Sequence, residues 1–245
     1  MGHWVSIPSP SVAEILSGVG MDWLLLDAEH GPSGDEAIED LCRAMKGTGV
    51  VPLIRVAGND PFLIKKALDR GAMGVICPLV NTEEEARAAV EACRYPPDGI
   101  RGVAGTRANA FGSDLEEYFR RWNEEVLVVV QIETREALSN VESIAGVPGV
   151  DALFIGPNDL SANLGLFGQY DHPEFIEAVG RVLAAARNAG KASGYMAFSS
   201  GETLHCVDRG IQFIAAGTDA RLLQKAAEDT YGEIAAGLRE RGVEG

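Results

Sequence analysis

The 245-residue chain reads as an α/β protein, a single (β/α)8 TIM barrel over residues 1–245. Three observations predict it. Strand-like and helix-like segments alternate eight times along the chain. Most strand segments are runs of Val, Ile and Leu without alternation, as parallel strands covered on both faces require. The rival, an open doubly wound sheet, calls for a glycine-rich dinucleotide turn after the first strand. The segment SIPSPSVAE has no such turn.

The strand segments, in order, are 3–7 (HWVSI), 23–27 (WLLLD), 50–56 (VVPLIRV), 74–78 (GVICP), 126–133 (VLVVVQIE), 151–156 (DALFIG), 192–197 (ASGYMA) and 212–217 (QFIAAG). Helical patterns follow each of them: SVAEILSGV, GDEAIEDLCRAM, DPFLIKKALDRG, TEEEARAAVEACR, TREALSNVESIAG, HPEFIEAVGRVLAAARNAG, GETLHCVDRG and DARLLQKAAEDTYGEIAAGLRER. Asn59-Asp60-Pro61 reads as a cap with proline in the first turn, and Thr82 with Glu85 as a capping box. Gly71, Gly146, Gly190 and Gly210 stand where helices should stop. The one long irregular stretch is 94–112, RYPPDGIRGVAGTRANAFG, and a loop of that length in a compact domain marks a functional or interface segment.

Composition narrows the partners. A formal net charge of −15 disfavours phosphate backbones and anionic membranes, so neither nucleic acid nor membrane is expected. No apolar run approaches the roughly 20 residues of a membrane span. MGHWVSIPSP lacks the pattern of a signal peptide, and Cys42, Cys77, Cys93 and Cys206 are scattered, so a cytoplasmic protein with reduced thiols is expected.

In a (β/α)8 barrel the active site lies at the carboxyl ends of the strands. There the sequence places Asp27, Glu29 and His30 (second strand), Arg55 (third), Gln131 and Glu133 (fifth), and Gly156-Pro157-Asn158-Asp159 (sixth). Alternation puts Leu25 with Asp27, Leu53 with Arg55, and Val129 with Gln131 and Glu133 on inward faces. Burying Gln131 and Glu133 demands hydrogen bonds or a cation. Glu133 and Asp159, from adjacent strand ends, suit a hard divalent cation, with waters and substrate oxygens completing its shell. Zinc is disfavoured, because no His or Cys pair has ligand spacing. The GPND turn feeds a short helix whose free N–H groups suit a carboxylate.

Each piece has an ordinary structural reading when taken singly: His30 as a hydrogen bonder, Arg55 as an ion-pair partner, Glu133 as a helix N-terminal carboxylate, GPND as a turn. Their convergence on one end of one barrel favours a site. His3, His172, His205, Trp4, Trp23 and Trp122 keep the structural reading. The five lysines, 46, 65, 66, 191 and 225, lie on helices or at the opposite end, so none is placed for a Schiff base. Carbonyl chemistry then needs a metal as electron sink.

LLLDAEHGP, RVAGNDP, RYPPDGIRGV, VQIETREAL and FIGPNDLSANLG, in order over nearly the whole chain, resemble the HpcH/HpaI aldolases. These are class II, divalent-metal-dependent pyruvate aldolases. The resemblance implies reversible cleavage of a 4-hydroxy-2-oxo acid to an aldehyde and pyruvate, or a related 2-oxo acid such as hydroxypyruvate. It implies Mg2+, Mn2+ or Co2+ on Glu133 and Asp159, His30 as base, and Asp27 orienting that histidine. Arg55 would stabilise the enolate oxygen. Gln131 and the Gly156–Asp159 turn would hold the 2-oxo acid. It further implies a homo-oligomer, a hexamer with a swapped C-terminal helix, with the 94–112 loop at subunit contacts. Arg107 is a candidate contact for the aldehyde; Glu29 has no assigned role. The competing readings are a citrate-lyase-like or malate-synthase-like enzyme on CoA esters, a macrophomate-synthase-like decarboxylase, and a non-catalytic binder. A CoA enzyme would want basic loops, which are few here.

Overall fold

The computed structural model describes residues 1–242. Its eight strands are β1 Gly2–Val5, β2 Trp23–Asp27, β3 Val51–Arg55, β4 Gly74–Cys77, β5 Leu127–Ile132, β6 Ala152–Ile155, β7 Ala192–Ala197 and β8 Phe213–Thr218. All pair in parallel with their sequence neighbours, and β8 closes on β1. The predicted α/β barrel is therefore the observed fold.

Around it run α1 Pro10–Ser17, α2 Asp35–Ala44, α3 Pro61–Asp69, α4 Glu83–Cys93, α5 Leu115–Glu125, α6 Arg135–Ser139, α7 Val141–Ala145, α8 Pro157–Asn163, α9 Pro173–Asn188, α10 Ser200–Asp208 and α11 Asp219–Glu240. The expected caps form. Asp60 accepts from the N–H groups of Phe62 and Leu63 at 2.8 and 3.1 Å, and Thr82 and Glu85 make their reciprocal box. His172 caps α9, as a helix-start residue should.

Two elements differ from expectation. The fifth helical segment breaks at Asn140 into α6 and α7, and the Asn140 amide donates to the Asn81 carbonyl at 2.9 Å. The long segment is also shorter than its length suggested, because Arg107–Gly112 forms a 3-10 turn and α5 follows directly. Its irregular first half is pinned by Arg101. That side chain is fully buried against Tyr95, Tyr118 and Trp122, with its guanidinium 4.6, 5.6 and 4.5 Å from their ring centroids. It pairs with Asp69 at 2.9 Å. Stacking on rings and a carboxylate partner together offset the cost of burying the charge.

The core has two layers. Trp4, Trp23, Leu25, Leu53, Ile76, Val129, Phe154 and Met196 fill the barrel, with Trp23 stacked on Phe213 at 4.3 Å. Leu24, Leu26, Ile54, Val75, Val128, Val130 and Ile132 face the helices. Each fully buried aliphatic contributes roughly 1.5–3 kcal/mol. The inward set on β5 is the one alternation predicts, so Gln131 and Glu133 continue the Val129 face into the mouth.

Helix α11 stands apart from this core. Only Asp219 at its start is buried, and Leu222, Leu223, Tyr231 and Ile234 are exposed along it. The four cysteines are buried free thiols. No helix among the described residues is long and apolar enough to cross a membrane.

Candidate active site

Strands β2 and β3 pair with Asp27 directly opposite Arg55. Both side chains point inward at the mouth, and both are buried. Arg55 Nε donates to Asp27 Oδ1 at 3.0 Å and Nη2 to Oδ2 at 2.6 Å. The third nitrogen, Nη1, lies 3.0 Å from Glu29 Oε2. Beneath this fork the Trp4 ring supports the guanidinium at 4.6 Å. Burial opposes the charge on Asp27. The hydrogen bonds and charge of Arg55 outweigh it, and the carboxyl is held below its ordinary range.

Asp27 Oδ1 also accepts the backbone N–H groups of Glu29 and His30, at 3.1 and 3.3 Å. Among the described residues, the hydrogen bonds of Asp27 go to Arg55 and to backbone, and none goes to the His30 ring. The expected Asp27–imidazole contact is thus replaced by a contact to the backbone that carries the ring. The His30 side chain is exposed and lines the same cavity as Asp27 and Arg55.

Across the mouth, Glu133 follows β5 and is 3% exposed. Its Oε1 accepts the Leu79 N–H at 2.8 Å, and its Oε2 accepts from the Gln131 amide. Leu79 reaches that position with φ of 54°, a left-handed conformation that costs a leucine of order 1 kcal/mol or more. Burial is the largest influence on Glu133. The negative charges of Asp159 and Glu29 add to it, and together they push its pKa up to about 7 against the Leu79 N–H and Arg55. Burial likewise raises Glu29, with Asp27 and Asp159 adding to it, against the pull of Arg55 and His30.

Gly156 forms the floor between these groups. A Cβ there would sit 2.7 Å from Gln131 Nε2 and 2.8 Å from Glu133 Oε2. Its φ is −86°, so close approach and not backbone freedom requires glycine. Pro157, Asn158 and Asp159 open α8 beside it. First-turn N–H groups have no partner within their own helix. Asn158 Oδ1 accepts from the Tyr170 hydroxyl.

Asp27, His30, Arg55, Gln131 and the Gly156–Asp159 turn line one cavity of about 330 Å³, and Glu133 lies outside its lining, against Gln131 and Gly156. One wall is polar: Asp27, His30, Arg55, Gln131, Asn158 and Asp159. The other is apolar: Trp4, Phe154, Met196 and Phe198. The structure brings Asp27, His30, Arg55, Gln131 and Gly156–Asp159 onto this cavity, with Glu133 buried beside it. Arg107 lies elsewhere. Its Nη1 donates at 2.7 Å to the carbonyl of Arg70, at the C-terminal end of α3. Because α3 starts at the mouth, its end is the far end of the barrel.

The donor set fits a hard divalent cation. Glu133 is a buried carboxylate crowded by two others, and Gln131 Oε1 is buried with no hydrogen-bond partner. Among the described residues no group of three His, Cys, Asp or Glu is arranged around a common point. Two carboxylates with open positions suit an oxygen-seeking ion and not a closed zinc site.

Three features were not foreseen. Trp4 reads as core in the sequence, and it is core below and a platform for Arg55 above. Glu29 grips the guanidinium. Asp219, at the end of β8, accepts from Ser6 N–H, Ser6 hydroxyl and Ile7 N–H at 2.9, 2.7 and 2.9 Å, which ties the loop after β1 to the mouth. Only the position of these residues at strand ends could have signalled them.

Fold and mouth together present a (β/α)8 barrel whose strand ends gather carboxylates around a fixed guanidinium. The HpcH/HpaI aldolase/citrate lyase model matches residues 1–226. A Rhizobium etli protein named pyruvate aldolase is 42% identical over 229 residues, 93% of this chain and 90% of that one. A Salmonella paratyphi B protein named 4-hydroxy-2-oxo-heptane-1,7-dioate aldolase is 39% identical over 246 residues, covering 100% and 94%. The crystal structure of an HpcH/HpaI aldolase/citrate lyase family protein from Burkholderia cenocepacia J2315 superposes with a TM-score of 0.92 at 39% identity, covering 95% and 93%. The chain belongs to the HpcH/HpaI aldolase/citrate lyase family and is a carbon–carbon lyase.

Proposed function

We propose that the chain is a class II pyruvate aldolase. It would interconvert a 4-hydroxy-2-oxo acid with an aldehyde and pyruvate or a related 2-oxo acid such as hydroxypyruvate. The observation that carries this reading is the pairing, in one mouth, of a guanidinium held by Asp27 and Glu29 with the crowded carboxylates Glu133 and Asp159. No lysine lines the cavity, which speaks against a Schiff base. Arg55 is its one strongly basic side chain, which speaks against a nucleotide-bearing thioester substrate.

Glu133 and Asp159 would hold Mg2+, Mn2+ or Co2+. Such an ion, when bound, supplies Lewis-acid polarisation of the 2-oxo group. Gln131 and the N–H groups of Asn158 and Asp159 position the 2-oxo acid, with Gly156 and Pro157 shaping that wall. Arg55 donates to the oxygen that becomes negative as the enolate forms, a contribution typically of about 2.7–4 kcal/mol at the transition state. In cleavage His30 takes the proton of the 4-hydroxyl, the C3–C4 bond breaks, its electrons enter the enolate and the aldehyde leaves. In synthesis the same steps reverse. Asp27 serves by fixing Arg55 and the His30 backbone.

The exposed apolar side of α11 supports a homo-oligomer in which this helix packs on a second copy, as in a hexamer with swapped C-terminal helices. The acidic composition and free thiols support a cytoplasmic location. Incubation with pyruvate and borohydride tests the chemistry: no lysine should be alkylated, and a pyruvate–lysine adduct would overturn the class II reading.

A further inference from the structure

Trp4 on β1 pairs with Thr218 on β8, and Ser6, two residues past Trp4, continues its inward face above the strand. Ser6 and Thr218 are half-buried, and both line the mouth cavity. Thr218 stands at the seam between this cavity and the neighbouring one that carries Arg221 and Lys225. With the 2-oxo acid against Gln131, Asn158 and Asp159, the wall left for the aldehyde is Trp4, Phe154, Met196 and Phe198, with these two hydroxyls set in it. A few placed polar groups in an apolar wall are what fix orientation and choice in a small-molecule site.

Each hydroxyl is already half committed, and in opposite senses. Ser6 donates its proton to Asp219 Oδ1 at 2.7 Å. The same carboxylate accepts the N–H groups of Ser6 and Ile7, both at 2.9 Å, so the loop that carries Ser6 is held at three points. The Ser6 oxygen keeps its lone pairs and has no proton to offer, so toward the cavity it is an acceptor. Thr218 is the N-cap of α11, and its Oγ1 accepts the Arg221 N–H at 3.2 Å. Among the described residues its proton goes to no partner, so toward the cavity it is a donor. One acceptor and one donor on adjoining strands complement a ligand hydroxyl, which donates once and accepts as well. A methyl group in that place would leave both without a partner.

We infer that Ser6 and Thr218 are specificity-determining residues that read a hydroxyl group on the aldehyde, so that the product is a 4-hydroxy-2-oxo acid with a further hydroxyl beyond C4. The inference rests on the aldolase reading above. The hydroxyl that is read makes and breaks no covalent bond. In synthesis C3 of pyruvate loses a proton to the base, the resulting enolate attacks the aldehyde carbon, the C3–C4 bond forms, and the new alkoxide takes a proton.

The test uses the Mg2+- or Mn2+-loaded protein, pyruvate and matched aldehydes that differ by hydroxyl against methyl: glycolaldehyde with propanal, and 3-hydroxypropanal with butanal. In at least one pair the hydroxylated member should exceed its partner in kcat/KM by at least about tenfold. Intrinsic reactivity enters that ratio alike in every variant, so a change of ratio reports the pocket. Ser6→Ala and Thr218→Val should each lower the ratio about fivefold, the worth of one hydrogen bond. Thr218→Val also loses a helix cap, whereas Thr218→Ser keeps both cap and hydroxyl and should keep the ratio. A ratio that neither Ser6→Ala nor Thr218→Val changes overturns the inference. Deuterium exchange at C3 of pyruvate in D2O, measured without aldehyde, separates the two claims. Exchange with no preference for the hydroxylated member of either pair overturns this inference alone; neither exchange nor condensation overturns the aldolase reading with it.

Discussion

Arg55 and Asp27 face each other across β2 and β3 and are joined by two hydrogen bonds of 3.0 and 2.6 Å, with both side chains almost fully buried. The strand register alone brings them together. Removing either partner strands the other charge, at a cost of about 3–5 kcal/mol. Arg55→Ala should lower kcat about a hundredfold or more. Arg55→Lys should restore little, because an ammonium cannot make the fork. Steady-state kinetics with urea unfolding separates the catalytic loss from the structural one.

Glu29 touches one nitrogen of the same guanidinium. Glu29→Gln should leave the fold intact and reduce kcat/KM about five- to thirtyfold, because one of the two carboxylates beside the guanidinium loses its charge. An unchanged kcat/KM would show that Asp27 alone fixes Arg55.

Glu133, with its pKa near 7, makes the metal-free protein pH-sensitive. Its folded value lies above that of the unfolded chain, so the folded state binds the extra proton between about pH 4.5 and 7. Stability of the metal-free protein should therefore fall as pH rises through that window and level off above it. Asp27 acts in another range: its lowered pKa gives stability that is lost only as pH falls below the ordinary carboxylate range. Divalent metal should displace the Glu133 proton and flatten the first slope. Melting curves from pH 5 to 8, with and without Mn2+, and calorimetric proton release check this; Glu133→Gln should abolish both effects.

Gly156→Ala inserts a methyl group 2.7 and 2.8 Å from Gln131 and Glu133. The backbone tolerates alanine there, but the buried Gln131 and Glu133 must shift to admit the methyl group, so the melting temperature should fall by a few degrees. Metal affinity and kcat/KM should fall at least about tenfold, since small displacements of positioned groups are costly. Equilibrium metal binding measures this without turnover.

Removal of the chain from Leu222 onward deletes the exposed apolar side of α11. If that helix joins copies, light scattering should show a smaller assembly while the barrel keeps its circular dichroism.

The barrel was legible because its signals are local: apolar runs of strand length, caps, and strict alternation of strand and helix. The inward faces of β2, β3 and β5 followed from a period of two, and with them the places of Asp27, Arg55, Gln131 and Glu133. Contacts between distant segments were not legible. The grip of Glu29 on Arg55, the N–H that Leu79 turns to Glu133, and the Asp219 tie to Ser6 depend on how loops from different strands meet. Arg107 differs: its segment follows α4, which starts at the mouth and ends at the far end of the barrel, so the order of elements alone places it away from its own chain's mouth. Helix α5 was hidden behind the Gly- and Pro-rich segment preceding it, although Tyr118 and Trp122 stand one helical turn apart and are both buried.

The most direct test of the central claim strips the protein of metal and follows pyruvate condensation with an uncharged aldehyde before and after Mg2+, Mn2+ or Co2+ is added. The account predicts no product without metal, recovery on addition, and loss of that recovery in Glu133→Gln. Aldol product formed by metal-free protein and unaffected by EDTA would contradict it.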